Sequence, residues 1–153
     1  MQPISCGSII CDWGSHMFYN KTSCRVIYGD TDRMGYAYHA HYFRWFEIGR
    51  TELLRSFGLS YKAIEEKGIF LPVSEANCKY FIPIRYDDTL IVETGLDNGV
   101  KGGFKFNYRL HRESDNQLVA EGYTKHPCVN GEGKVVRPPQ FLLDLIAKIK
   151  DLG

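Results

Sequence analysis

The chain has 153 residues, of which 44% are hydrophobic and 24% are charged, and its formal net charge is +1. This length and composition predict one globular domain with a single core, and the near-neutral charge argues against a nucleic-acid-binding arm or a basic membrane patch. No apolar run in the sequence approaches the length of a transmembrane helix. The five cysteines are scattered without C-x-x-C spacing, which indicates neither a metal site nor a disulfide framework and favours a reducing cytoplasm.

Residues 1–17 are predicted to be a non-native or disordered leader, and residues 18–153 to form one domain. Ile9 and Ile10 form an apolar stretch far shorter than a signal-peptide core, and neither Lys nor Arg precedes them. The sequence of residues 14–17, Gly-Ser-His-Met, is one that a cleaved cloning tag often leaves.

A strand, a loop and a long helix are predicted between residues 19 and 58. Residues 19–28 mix β-branched and aromatic side chains, which is typical of a strand. From Tyr42 onward apolar residues recur with the spacing of one helical face, and the helix is expected to end at Gly58. The first helical turn would then present unpaired backbone N–H groups toward Asp32 in the loop.

The remaining sequence predicts a second short helix, several strands and a C-terminal helix. Ser60 and Gly68 have the positions of an N-cap and a C-terminal glycine. Strand-like runs follow at residues 69–81, 89–96, 104–111 and 118–129, separated by turn-forming residues that include Asp87 and Asp88 and the glycines of residues 99–103. An amphipathic helix is predicted after Pro139. This order predicts an α+β fold with an antiparallel sheet.

A single carboxylate facing a helix N-terminus suits some hydrolytic reactions better than others. An amide needs its leaving nitrogen protonated, whereas a thioester expels a thiolate whose conjugate acid has a pKa of roughly 8.5, so it needs no strong general acid. Asp32 could act as a nucleophile or as a base on water, with the helix N-terminus stabilising the oxyanion. The same residue could instead simply cap the following turn.

The segments 29–35, 38–42, 45–47 and 50–52 together resemble the signature of hotdog-fold acyl-CoA thioesterases. Within that superfamily the chain is most similar to the 4-hydroxybenzoyl-CoA thioesterase family and its Tol-Pal-associated branch. The resemblance extends through residues 58–60, 68–73, Tyr80 and 86–90, and it implies an antiparallel sheet wrapped around one long helix.

The resemblance implies that Asp32 is the catalytic carboxylate and that His39 is catalytic as well, its backbone N–H polarising the thioester carbonyl and its ring also contributing. It further implies Tyr38, Tyr42 and Glu47 as substrate-binding residues, with neither a metal nor a cofactor. Arg33 and Met34 stand where relatives often have small residues or proline, a departure that affects the shape of the acyl entrance.

The resemblance also implies an acyl-CoA substrate and a homodimer or homotetramer with the site at the subunit interface. The candidate partners for the coenzyme A phosphates are the basic residues Arg85, Lys101, Lys105, Arg109 and Lys125. The acyl-chain preference and the choice between coenzyme A and acyl carrier protein stay open.

Other interpretations accompany each assignment. Asp30 is expected to order the loop in an Asx turn, and Glu47 is expected to pair with Arg50 on one helical face unless it serves a partner subunit's site. A non-catalytic acyl-CoA or acyl-carrier-protein binding protein of the same fold is the alternative function. A hotdog hydratase would have an Asn between the Asp and the His, and residues 33–38 contain none.

Overall fold

The computed structural model describes residues 17–97 and 102–151. The leader predicted for residues 1–17 lies outside the described residues except at Met17, where the first strand begins. Most of the glycine-containing turn predicted at residues 99–103 lies outside them as well.

The described chain contains seven strands and three α-helices. In chain order they are β1 (Met17–Arg25), α1 (Tyr42–Ser56), α2 (Tyr61–Glu66), β2 (Ile69–Phe70), β3 (Glu75–Tyr80), β4 (Thr89–Asp97), β5 (Gly103–Arg112), β6 (Gln117–Pro127), β7 (Val129–Asn130) and α3 (Gln140–Asp151). Two 3₁₀ turns, Tyr28–Asp30 and His39–His41, lie between β1 and α1, and the second continues directly into the helix.

Five strands form one antiparallel sheet in the order β1-β4-β5-β6-β3, and β2 pairs with β7 in a separate two-stranded ladder. Helix α1 lies across the inner face of the five-stranded sheet and buries Trp45, Phe46, Leu53 and Leu54 against it. Gly49 marks the closest approach, because a Cβ there would collide with the side chains of Thr94 and Val92. The predicted α+β hotdog fold is confirmed.

The ends of the two helices after the loop agree with the predictions. Helix α1 ends just before Gly58, whose φ of 77° is one that L side chains rarely adopt. The Ser60 hydroxyl accepts a hydrogen bond from the Ala63 N–H at 3.1 Å and so caps α2, and Gly68 closes that helix with a φ of 80°. Among the described residues, no helix combines the length and the apolar character needed to cross a membrane.

Three strand predictions need correction. The run 69–81 splits into β2 and β3 around Pro72, which has no N–H to donate to a ladder. The run 118–129 splits into β6 and β7 at Pro127 for the same reason. The first strand ends at Arg25 and not at residue 28, because residues 28–30 turn to bury the Asp30 carboxylate.

Candidate active site

Backbone hydrogen bonds hold Asp32 in the loop between β1 and α1. Its N–H donates to the Tyr36 carbonyl at 2.8 Å, and its carbonyl accepts from the Gly35 N–H at 3.0 Å. The carboxylate oxygen Oδ1 accepts from the N–H groups of Met34 at 2.9 Å and Tyr36 at 3.4 Å. Within the described part of the chain, the second oxygen, Oδ2, accepts no hydrogen bond. Asp32 thus caps its own turn with one oxygen and keeps the other available.

Asp30 has a structural environment that differs from that of Asp32. Its buried carboxylate pairs with the Arg44 guanidinium and accepts the Ile27 N–H at 2.9 Å, and its carbonyl accepts the Tyr38 N–H at 2.7 Å. The predicted ordering role is confirmed, although the carboxylate reaches back to Ile27 and does not form an Asx turn. These bonds fix the two ends of the loop that carries Asp32.

The 3₁₀ turn His39–His41 supplies donors that no protein group uses. Its first internal bond runs from the His41 N–H to the Tyr38 carbonyl at 3.0 Å. The N–H groups of His39 and Ala40 precede that bond, and neither donates to another group among the described residues. No side chain caps this turn or the start of α1. Such unpaired donors at a helix start favour an anion or a developing oxyanion.

Asp32 and His39 line the same open cleft, whose volume is ≈ 290 Å³. Tyr42, which is only 3% exposed, also lines this cleft. The rest of the lining includes the end of β3 and the segment after it, through Tyr80, Phe81 and Pro83. The fold therefore brings together three of the five residues that the sequence singled out.

Tyr38 and Glu47 do not line this cleft. The Tyr38 ring packs against the rings of His39 and His41, with centroid distances of 4.3 and 5.8 Å. Glu47 is exposed on α1, beyond the first turn of the helix. Their roles in substrate binding stay predictions.

The expected ion pair between Glu47 and Arg50 is wrong: the structure contains no salt bridge between these two described residues. The Arg50 guanidinium instead lies beside the hydroxyl groups of Tyr61 and Tyr108 on the inner side of the fold. Spacing along the helix allowed the pair, but residues 47 and 50 differ in burial, and the half-buried arginine turns inward to the tyrosines.

The part of the cleft lining that follows β3, and above all Tyr80, was not predicted as a site from the sequence. Its hydroxyl donates to the His39 carbonyl at 2.8 Å, and its ring meets the Tyr42 ring edge-on at 4.7 Å. Tyr80 belonged to the family resemblance, but no local pattern connects it with His39, which lies 41 residues earlier.

Burial makes the groups around Tyr42 harder to ionise than usual. It raises the pKa of Tyr42 to about 12 and that of the Cys78 thiol to about 11, and it also raises the pKa of Tyr80. Tyrosine hydroxyls are protonated at neutral pH even at their ordinary pKa, so both tyrosines can donate hydrogen bonds, and the raised pKa of Cys78 gives its thiol even less thiolate character than usual. Among the described residues, no three His, Cys, Asp or Glu side chains cluster as metal ligands would.

Most of the described basic residues suggested for phosphate binding lie away from the cleft that contains Asp32, and Lys105 and Arg109 line a second pocket of ≈ 660 Å³. Lys105, Arg109 and Lys125 lie on β5 and β6, on the face of the sheet away from α1, and Lys125 pairs with Glu75 at 2.7 Å. Arg85 is near the cleft that contains Asp32, with its guanidinium 5.0 Å from the ring centroid of Tyr36, a residue that lines this cleft. Lys101 lies outside the described residues.

A buried chain of hydrogen bonds crosses the core beside α1. The His126 ring contacts the Leu71 carbonyl through Nδ1 at 3.2 Å and the Thr124 hydroxyl through Nε2 at 2.7 Å, and Thr124 contacts the Tyr108 hydroxyl at 2.6 Å. Because a carbonyl only accepts, Nδ1 carries the proton and Nε2 accepts from Thr124. Burial, followed by the nearby charge of Arg50, lowers the pKa of His126 to about 4.

Stability is therefore expected to fall as the pH falls from about 6.5 to about 4. In the unfolded chain His126 binds a proton near its ordinary pKa of 6.5, whereas in the folded chain it binds one only near pH 4. Between these two pH values the unfolded chain holds more protons, so the free energy of unfolding decreases as the pH falls. Above pH 6.5 this loss is absent. The full loss amounts to about 3 kcal/mol. Denaturant unfolding at several pH values measures it, and His126→Gln should flatten this part of the profile. An equal slope in both proteins would contradict the assignment.

Comparison with known proteins places this geometry in a family. The family model described as the thioesterase-like superfamily matches residues 26–146. The acyl-CoA thioesterase YbgC of Haemophilus influenzae is 35% identical over 119 residues, covering 76% of this chain and 85% of that protein. The acyl-CoA thioester hydrolase YbgC of Escherichia coli O157:H7 is 32% identical over 106 residues, covering 69% of this chain and 78% of that protein.

Solved structures show the same likeness in three dimensions. The DHNA-CoA thioesterase of Staphylococcus aureus superposes with a TM-score of 0.81 at 28% identity, covering 88% of this chain and 92% of that one. The chain belongs to the thioesterase-like superfamily, in its acyl-CoA thioesterase branch.

Proposed function

We propose that this chain hydrolyses an acyl-CoA thioester to a free carboxylic acid and coenzyme A, with Asp32 as the catalytic carboxylate. One observation carries the proposal: Asp32, whose Oδ2 is unpaired among the described residues, and His39, whose N–H is unused there, line a single cleft. Membership of a family whose relatives are acyl-CoA thioesterases supports the choice of substrate.

The chemistry needs few groups because the thiolate leaves without strong acid assistance. Oδ2 of Asp32 either attacks the thioester carbonyl carbon, forming an anhydride that water then hydrolyses, or removes a proton from the attacking water. In both routes the carbonyl oxygen gains negative charge, and the His39 N–H donates to it. The carbon–sulfur bond breaks and the electron pair leaves on sulfur.

A thiol-release assay across acyl-CoA substrates tests the proposal. Acetyl-, benzoyl- and palmitoyl-CoA sample short, aromatic and long acyl groups, and we expect release well above the uncatalysed rate for at least one of these classes. The non-catalytic binding protein would bind acyl-CoA but release no thiol above background. That result for every acyl length, with folded protein, would overturn the proposal.

Single-turnover hydrolysis in ¹⁸O-labelled water separates the two roles of Asp32. Water attack on the Asp32 carbonyl of the anhydride leaves label in Asp32, a result that water activation cannot give, because its label enters only the released acid. Mass spectrometry of the peptide that contains Asp32 detects this label and so identifies the nucleophilic route.

The proposal includes a homodimer or homotetramer in a reducing cytoplasm. β3 is an edge of the five-stranded sheet and is exposed along nearly its whole length, and an unprotected edge favours pairing with another strand. Tyr80 ends this strand, so a second chain added there would approach the cleft. Light scattering should give two or four times the chain mass of 17.6 kDa, and a monomer would contradict this part.

A further inference from the structure

The turn that would bind the oxyanion has one hydrogen bond from a side chain, and it comes from Tyr80. Residues 39–41 have no capping side chain, and their internal bond joins only His41 to Tyr38. The Tyr80 hydroxyl donates to the His39 carbonyl at 2.8 Å. In the described part of the chain, this hydrogen bond links the turn to the end of β3.

The direction of this bond matters because a peptide unit is rigid. The C=O of His39 and the N–H of Ala40 belong to one plane and point in opposite directions, so holding the carbonyl also fixes the adjacent amide. In a helical turn the carbonyls point toward the C-terminal end and the N–H groups toward the N-terminal end. Tyr80 therefore holds directly the peptide unit that carries the Ala40 N–H, and through it the turn that begins at His39.

The surroundings of Tyr80 keep its hydroxyl in place and protonated. The ring packs edge-on against Tyr42, a residue that is only 3% exposed, and Tyr42 in turn packs edge-on against Trp45 at 5.0 Å. A tyrosine hydroxyl is protonated throughout the neutral range at its ordinary pKa of 10, and burial raises the pKa of Tyr80 further. A hydrogen bond accepted by a peptide carbonyl also polarises its N–H and strengthens it as a donor.

We propose that Tyr80 is a positioning residue for thioester hydrolysis, which holds the His39 turn so that its free N–H groups meet the developing oxyanion. This inference rests on the proposed function, because it concerns the same site. Tyr80 does not contact the reacting atoms in this role. It acts through the backbone of His39 and Ala40, and its effect belongs to the transition state more than to substrate binding.

Tyr80→Phe removes the hydroxyl and keeps the ring, so it tests the bond directly. We expect kcat to fall about tenfold with KM nearly unchanged, the size expected for the loss of one hydrogen bond in the transition state. Tyr86→Phe is the matched control, because Tyr86 is similarly exposed and its ring stacks on Tyr28 outside the cleft. The control should keep the wild-type kcat.

Hydrogen exchange supplies a readout that does not depend on activity. In Tyr80→Phe the amide of His41, whose N–H is hydrogen-bonded to the Tyr38 carbonyl within the turn, should exchange faster, while those of Leu53 and Leu54 in α1 keep their wild-type rates. Unchanged kcat and unchanged exchange in Tyr80→Phe would overturn the inference, and so would an equal effect in Tyr86→Phe. Wild-type protein that hydrolyses no acyl-CoA would instead refute the proposed function, and the exchange result would still decide whether Tyr80 holds the turn.

Discussion

Asp32→Asn is expected to lower thioester hydrolysis by about two to four orders of magnitude, the range in which general-base and related carboxylate catalysis contributes. The amide oxygen of Asn can still accept from the N–H groups of Met34 and Tyr36, so the turn that Asp32 caps should persist. The variant loses the negative charge and the basicity of Oδ2. Thiol release measures the rate, and thermal unfolding confirms that the fold is kept.

Asp88→Asn is the matched control for this change. The Asp88 carboxylate also accepts one backbone N–H in a turn, that of Arg85 at 2.9 Å, but it does not line the cleft. Its turnover should equal that of the wild-type protein. Near wild-type hydrolysis by Asp32→Asn would refute the catalytic assignment, and equal losses in both variants would indicate a general effect of removing loop charge.

Phe46→Ala is expected to lower the free energy of unfolding by about 3–5 kcal/mol, which is a large part of the stability of a typical domain. The Phe46 ring is completely buried and stacks on Tyr108 with a centroid distance of 4.3 Å and an interplanar angle of 5°. It also covers Gly122, where a Cβ would lie 2.9 Å from the ring. Truncation would leave a cavity between α1 and the sheet that these close-packed neighbours cannot fill.

Denaturant unfolding at neutral pH measures this loss, with Leu143→Ala as the control. Leu143 is 43% exposed on α3, so its truncation removes apolar atoms without opening an internal cavity and should change stability by less than about 0.5 kcal/mol. A loss below about 1 kcal/mol for Phe46→Ala would mean that the ring does not join helix and sheet as described.

Local patterns in the sequence predicted most of the elements, since helix and strand periodicity, caps and turn residues depend on neighbours a few positions apart. Gly58, Ser60 and Gly68 defined helix ends that the structure contains. The same local method missed the breaks at Pro72 and Pro127, where a strand-like composition outweighed the missing N–H. It also paired Arg50 with Glu47 on the same helix, because spacing along one helix carries no information about Tyr61 and Tyr108, which belong to other elements.

Some features of the candidate site also follow from local sequence, whereas others depend on tertiary contacts. The sequence by itself determined the fold class, because the order of the elements and the family resemblance extend over most of the chain. It also determined the loop that carries Asp32 and the helix start at His39, because these two residues lie close together in one recognisable signature. Only the tertiary structure decided that one oxygen of Asp32 caps the turn while the other stays unpaired, and that Tyr80 reaches the His39 carbonyl. Those contacts depend on how the sheet packs around the helix, and that packing is a property of the whole chain.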